Sequence, residues 1–247
     1  MKSFIKTFKN LYIRQNDLDS KDFITPTAIL DYFQTVASLH AKTINASYEE
    51  LKSKNFAWIL AKQKYVIERN DKSCLYKIFD ATTYPLKTKR IEYDRCYELK
   101  SKDDKLLIKG LSRWCIVDIE SHNIVRKNIE MLSNGLDEGN ELEFDKDLVR
   151  INNDALKDFI KTYDYLVKPS DIDHYSHMNN TKYGDVILNS IDTKFYIKEF
   201  EIIYTHECKL NDIIEVFIKE EDNIIYVIGK IKGTDLISFK AKLKIYE

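Results

Sequence analysis

The 247-residue sequence is short of the residues that bend and staple chains, with 6 Gly, 3 Pro and 4 Cys. So little glycine rules out a phosphate-cradling loop, and neither GxGxxG nor GxxxxGK occurs. Cys74, Cys96, Cys115 and Cys208 stand far apart with no CxxC pair, which reads as free thiols in a reducing compartment. An excess of one charge is missing too: 39 Lys and Arg face 40 Asp and Glu. There is no global basic field for nucleic acid or anionic lipid, and no aromatic-and-basic repeat for stacking bases. No apolar run approaches the ~20 residues a membrane-spanning helix needs. The opening MKSFIKTFKNLYIRQND lacks the apolar core and small-residue cleavage site of a signal peptide. The expectation is a cytoplasmic chain with no membrane span and no nucleic-acid partner.

What is present is an ordinary globular composition, 44% hydrophobic and 32% charged, and a weak internal repeat. Asp17-Leu18-Asp19 matches Asp171-Ile172-Asp173 at an offset of 154 residues. A short strand precedes each D-x-D, and a helix begins six or seven residues after it. The first helix starts near Thr25-Pro26, with threonine as N-cap and proline at the first helical position. Its stripe is Ile29, Tyr32, Phe33, Val36, Ala37, His40 and Ile44, a 3.6-residue spacing. The second starts near Asn179-Asn180, with a stripe of Tyr183, Val186, Ile187 and Ile191. After each helix the period falls to two, which predicts about four antiparallel strands per half, at 56–69, 74–84, 89–102 and 105–119, then 195–208, 212–220, 223–232 and 235–246. The offset drops to 138 between LYKIF (75–79) and IIEVF (213–217). We assign the surplus of about 16 residues in the first half to NASYEELKSKN (45–55). Between the halves, residues 128–158 are polar, with a short helix expected near 153–161. The predicted class is α+β: two units, each an antiparallel sheet wrapped around one long helix, because a helix with an apolar stripe must bury it against a sheet. The division is 1–128, a linker at 129–158, and 159–247.

The halves differ in polarity at the D-x-D loop. The first reads DLDSKDFITP and the second DIDHYSHMNN. His177 falls where Phe23 sits and Asn179 where Thr25 sits, and farther on YTHEC (204–208) falls opposite VIERN (66–70). The second copy therefore gathers Asp173, His177, His206, Glu207 and Cys208. Asp171 reads as a loop cap, Asn179 and Asn180 as helix caps, Tyr183 as core, and His40 as a hydrogen-bonded core histidine. His174 and His177 form only an H-x-x-H pair with no strong third ligand, so no metal is assigned. On a strand, Cys208 would face the core and Glu207 the opposite side. A Cys208–His177 nucleophilic pair is the rival to a carboxylate-activated water.

D-x-D-x-x-x-H-M-N-N-x-x-Y over 171–183, opening the helix of a duplicated unit, resembles the acyl-ACP thioesterase family, whose members carry two hotdog folds in tandem. TPTAILDYFQTVASLHA (25–41), FAWILAKQKYVIER (56–69), GLSRWCIVDIESHNIVR (110–126) and the Glu207-Cys208 pair extend the resemblance over nearly the whole chain. It implies hydrolysis of a fatty acyl thioester on acyl carrier protein, without a cofactor, by Asp173, position 175, His177 and Glu207. Position 175 is Tyr175 where the family has asparagine. Thioester hydrolysis needs an activated water and donors for the tetrahedral oxyanion. Glu207 or Asp173 would be the base, His177 would orient the water or carry a proton, and backbone N–H groups at Asn179 and Asn180 would bind the oxyanion. The first half, with Ile29, Phe33, Val36 and Trp58, would form the acyl pocket. KTKR (87–90) would meet the acidic carrier. Tandem halves make a monomer sufficient, with a homodimer as the other expected state. An acyl-CoA thioesterase, or an acyl-binding or dehydratase-like hotdog without hydrolysis, is the alternative, and Tyr175 keeps the latter open.

Overall fold

The computed structural model describes residues 4–68, 77–87, 91–126, 142, 144, 153–192 and 194–246. Cys74, most of KTKR and most of the expected linker lie outside them, while Lys87 is exposed after a strand. The chain forms two compact units: residues 1–15 with 31–144, and residues 16–30 with 145–247.

In the first unit, β1 (Lys6–Tyr12), β2 (Phe56–Ile67), β3 (Ile78–Pro85), β4 (Tyr93–Ser101) and β5 (Leu106–Asp118) make an antiparallel sheet in the order β1-β3-β4-β5-β2. Across it lies α1 (Pro26–Thr43), from Asp31 onward within this unit. The stripe read from the sequence is the buried one. Phe33, Val36 and His40 are at most 1% exposed, and Phe33 stacks on Tyr97 of β4 at 4.3 Å. Gly110 of β5 makes room for this contact, since a Cβ there would lie 2.1 Å from Phe33 Cε2. A fully buried phenylalanine of this kind contributes about 1.5–3 kcal/mol.

In the second unit, β6 (Ile160–Leu166), β7 (Tyr196–Tyr204), β8 (Ile213–Glu221), β9 (Ile224–Ile231) and β10 (Ile237–Tyr246) follow the order β6-β8-β9-β10-β7. This is the first unit's order repeated strand for strand. The expected helix near 153–161 is a 3-10 turn at Asn153–Asp158. The second half departs from one long helix. A 3-10 turn at Asn180–Lys182 leads into α3 (Tyr183–Leu188), only 6 residues. The chain turns at Asn189–Ser190, where Ser190 Oγ donates back to Ile187 O at 2.7 Å, so Ile191 is buried beyond the helix. The surplus in the first half therefore begins within α1, which has 18 residues, and continues through α2 (Tyr48–Lys52).

The grouping of residues 16–30 with the second unit differs from the expected boundary, and the contacts give the reason. Phe23 stacks on Tyr196 at 5.2 Å, and Thr27 Oγ1 donates to Asp185 Oδ1 at 2.6 Å. Gly184 permits the close approach, because a Cβ there would meet Thr27 N at 2.7 Å. No helix among the described residues is long and apolar enough to cross a membrane.

Candidate active site

The D-x-D loop is the same hydrogen-bonded device in both copies. Asp19 N–H donates to Phe23 O at 2.8 Å, and Asp173 N–H to His177 O at 2.9 Å. Asp19 Oδ1 accepts from Lys21 N and Phe23 N at 2.8 and 3.0 Å. Asp173 Oδ1 accepts from Tyr175 N and His177 N at 2.8 and 3.4 Å. Asp22 and Ser176 take the left-handed conformation at equivalent places, with φ of 65° and 68°. Each loop is closed from outside: Thr25 N–H donates to Asp17 O at 2.8 Å and Asn179 N–H to Asp171 O at 2.7 Å. Asp171 is buried, and its Oδ2 accepts from Lys168 N and Tyr165 Oη. Asp171 is thus a loop cap, and the Asp173 carboxylate spends one oxygen on the turn itself.

The second copy adds a docking contact. Met178 N–H donates to Cys208 O at 2.8 Å, holding the turn against residues 205–208. That segment follows β7, which ends at Tyr204, so strand alternation does not govern Glu207 and Cys208 as expected. Ser238 of β10 clamps it. The Ser238 carbonyl accepts from Thr205 N and His206 N, its Oγ donates to His206 O at 3.0 Å, and it lies 3.0 Å from Cys208 Sγ. Tyr183 Oη joins the same hydroxyl at 3.2 Å. His206 is tied back through Nδ1 to Ile237 O at 2.8 Å.

The outcome is a contact between His177 Nδ1 and Glu207 Oε2 at 3.2 Å, with side chains 31% and 54% exposed. Both groups reach solvent and each other. Nδ1 facing a carboxylate holds the ring proton there and leaves the Nε2 lone pair open. Cys208, by contrast, is fully buried, and burial pushes its thiol up from its usual range. Its side chain bonds to Ser238, and thiolate is disfavoured. Tyr175 is 38% exposed, with its ring tilted over His174 at 4.0 Å. Asn179 caps the helical segment, its Oδ1 accepting from Thr181 N at 3.0 Å. Its own N–H is committed to Asp171 O, so it is not a free oxyanion donor. Asn180 N–H opens the 3-10 turn and has no intrahelical acceptor, while Asn180 O accepts from Tyr204 Oη at 3.0 Å. No group of three or more His, Cys, Asp or Glu among the described residues is arranged to hold a metal.

The first unit contains a half-open cavity of about 680 Å³. Ala37, Ala41, Ile44, Leu86, Trp58 and Trp114 supply apolar wall. The indole N–H groups are turned aside, Trp58 Nε1 to Ala46 O at 2.9 Å and Trp114 Nε1 to Ser112 Oγ at 2.7 Å, which leaves ring surface to the cavity. Of the four residues expected to line a pocket, Trp58 does. Phe33 and Val36 are in the core under α1, and Ile29 is fully buried as well. The large residues at the middle of the stripe are used up in packing the helix onto its sheet. Ala37 and Ile44 of the stripe reach the cavity, together with Ala41 and the exposed Ser38. Ser238 and the cavity's Arg95 were not among the sequence candidates. The only hint was a small polar or charged residue at the inward register of an otherwise apolar strand.

A duplicated sheet-and-helix unit of this kind is a tandem hotdog fold. Residues 5–134 match the acyl-ACP thioesterase N-terminal domain and residues 155–244 the acyl-ACP thioesterase C-terminal domain. The chain belongs to the acyl-ACP thioesterase family, and its activity is hydrolysis of the acyl-ACP thioester. The fold is similar to that of an acyl-ACP thioesterase from Bacteroides thetaiotaomicron, with 20% identity, TM-score 0.85 and 98% of each chain covered. It is also similar to that of the 12:0-ACP thioesterase from Umbellularia californica, with 13% identity, TM-score 0.80 and 100% of this chain and 98% of that chain covered. No curated protein matches the sequence.

Proposed function

We propose that His177 and Glu207 are the reacting pair of this hydrolase, and that the first unit's cavity takes the acyl chain. The observation that carries the reading is the 3.2 Å contact between His177 Nδ1 and Glu207 Oε2. Glu207 fixes the imidazole tautomer and stabilises the imidazolium. Nε2 takes a proton from the attacking water. Of the roles expected from sequence, this reading takes the proton-carrying one for His177 and makes Glu207 its partner rather than the base. The tetrahedral oxyanion collects negative charge, and Asn180 N–H is the donor we assign to it. The protonated His177 then returns its proton as the C–S bond breaks, so the carrier leaves as a thiol and the product as the carboxylic acid, which gives its proton up to solvent. Asp173 is a positioning residue: its carboxylate accepts the His177 backbone N–H at 3.4 Å and so helps set the turn from which the ring projects. Tyr175 occupies the family's asparagine position with its backbone N–H spent on Asp173 and its ring over His174, so we give it no proton-transfer step. Cys208 is a structural thiol.

In this reading residues 1–128 provide chain binding and 159–247 the chemistry, with 129–158 as linker. The carrier is an acidic protein, which Lys87 and its basic neighbours would meet. Two hotdog units in one chain supply the pairing that single units obtain by dimerising, so the working state is a monomer. Free cysteines Cys96, Cys115 and Cys208 suit a reducing cytoplasm. The test is release of free thiol from matched acyl thioesters of carrier protein and of CoA. Faster turnover of the carrier form, abolished in His177→Ala, is the expected result. Full turnover in that variant would remove the assignment.

A further inference from the structure

The cavity's apolar wall is interrupted by a guanidinium. Arg95 of β4 lines it and is 8% exposed. Strand alternation sets Arg95 on the face of Tyr93 and Tyr97, toward α1, where Nη1 meets His40 Nδ1 at 2.9 Å. The same Nη1 donates to Thr83 Oγ1 at 3.2 Å. His40 is fully buried and accepts at Nδ1, which makes it the neutral tautomer carrying its proton on Nε2. Both partners are therefore uncharged, and both use the same nitrogen. A guanidinium has five N–H donors, and those on Nε and Nη2 are not used by any described residue.

The acidic side chains around the cavity are otherwise engaged. Asp94 holds Arg113 through both oxygens, at 2.8 and 2.9 Å, and Glu50 Oε2 accepts from Ser47 N at 2.7 Å. Burial, the largest influence on it, pulls Arg95 below the usual arginine range. The two tryptophans beside it have their N–H groups tied off. Arg95 is the buried strong donor on this wall, and Lys54 also lines the cavity.

We propose that this cavity selects acyl chains that carry an acceptor oxygen, hydroxyl, oxo or carboxylate, which the Nε and Nη2 hydrogens of Arg95 bind. The proposal rests on the reading that the cavity takes the acyl chain. A plain alkyl chain filling the same space would displace water from a buried cation and give it nothing in return. A site built to hydrogen-bond a substrate oxygen discriminates strongly against the analogue lacking it, because its own polar groups are left unpaired.

The experiment compares carrier-protein thioesters of one chain length in four forms: unsubstituted, hydroxylated, oxo-substituted and ω-carboxylated. Binding of the corresponding free acids is measured by calorimetry alongside. At least one oxygenated form should exceed the unsubstituted chain by about tenfold or more in both kcat/KM and affinity. Arg95→Leu should reverse that order, and Arg95→Lys should keep it in part. A wild-type preference for the unsubstituted chain in both assays overturns the proposal, as does a preference that survives Arg95→Leu. If no thioester is hydrolysed, the catalytic reading fails while calorimetry on the wild-type protein still decides the cavity's ligand. Should Arg95→Leu not fold, the wild-type comparison decides alone.

Discussion

Residues 17–25 and 171–179 are the same turn built twice, and in the mechanism we propose only the second holds chemistry. The backbone bonds, the aspartate that accepts two N–H groups, and the left-handed residue recur position for position. In the first copy the residue after that position is Phe23, which stacks on Tyr196. In the second it is His177, which meets Glu207. One side chain in a repeated frame separates a packing contact from a histidine–carboxylate contact. The frame gives a structural reason for D-x-D in both copies, since its second aspartate holds the turn in each.

Substitutions at paired positions would sharpen or break that comparison. His177→Ala should lower kcat about 10³-fold at unchanged fold, whereas Phe23→Ala should cost stability and little rate. Steady-state turnover with thermal melts separates the two. Glu207→Gln keeps an acceptor for Nδ1–H but removes the charge, so a loss of about 10- to 100-fold is expected. A loss as large as that of His177→Ala would instead make Glu207 the base. Asp19→Asn and Asp173→Asn should lower the melting temperature by similar amounts, each weakening one turn by about 1 kcal/mol. Asp173→Asn alone should reduce kcat. Cys208→Ser should stay within about threefold of wild type, and intact-mass measurement during turnover should find no acyl group on Cys208.

The smallest effect at neutral pH concerns stability. Burial raises the phenols of Tyr97, Tyr183 and Tyr204 above their ordinary range. Their folded values exceed the unfolded value of about 10, so their contribution is complete below that pH. It is lost as pH rises past it, because the unfolded chain then ionises and the folded one does not. Denaturant melts at rising pH should show stability falling above about pH 10.

The repeat, the α1 stripe and the approximate strand positions of each half could be read from spacing, because two periods and two offsets carry them. The length of α3 could not. Ile191 continues a helical stripe on paper, but Ser190 bends back on Ile187 and the chain leaves the helix first. Glu207 looked like a strand residue because YTHEC extends the pattern of β7, yet its meeting with His177 depends on Ser238, 31 positions farther along the chain. Contacts made across a sheet leave no local trace. For the same reason the cavity was assigned to the large residues of α1, when those residues are consumed in packing.

A double-mutant cycle on His177 and Glu207 tests the account most directly, with kcat on acyl-carrier thioester measured for each single variant and the pair. If the two side chains act as one unit, the doubly substituted protein should be no slower than His177→Ala alone. Losses that multiply would show two independent groups, and would contradict the claim that their contact is what the second turn adds to the first.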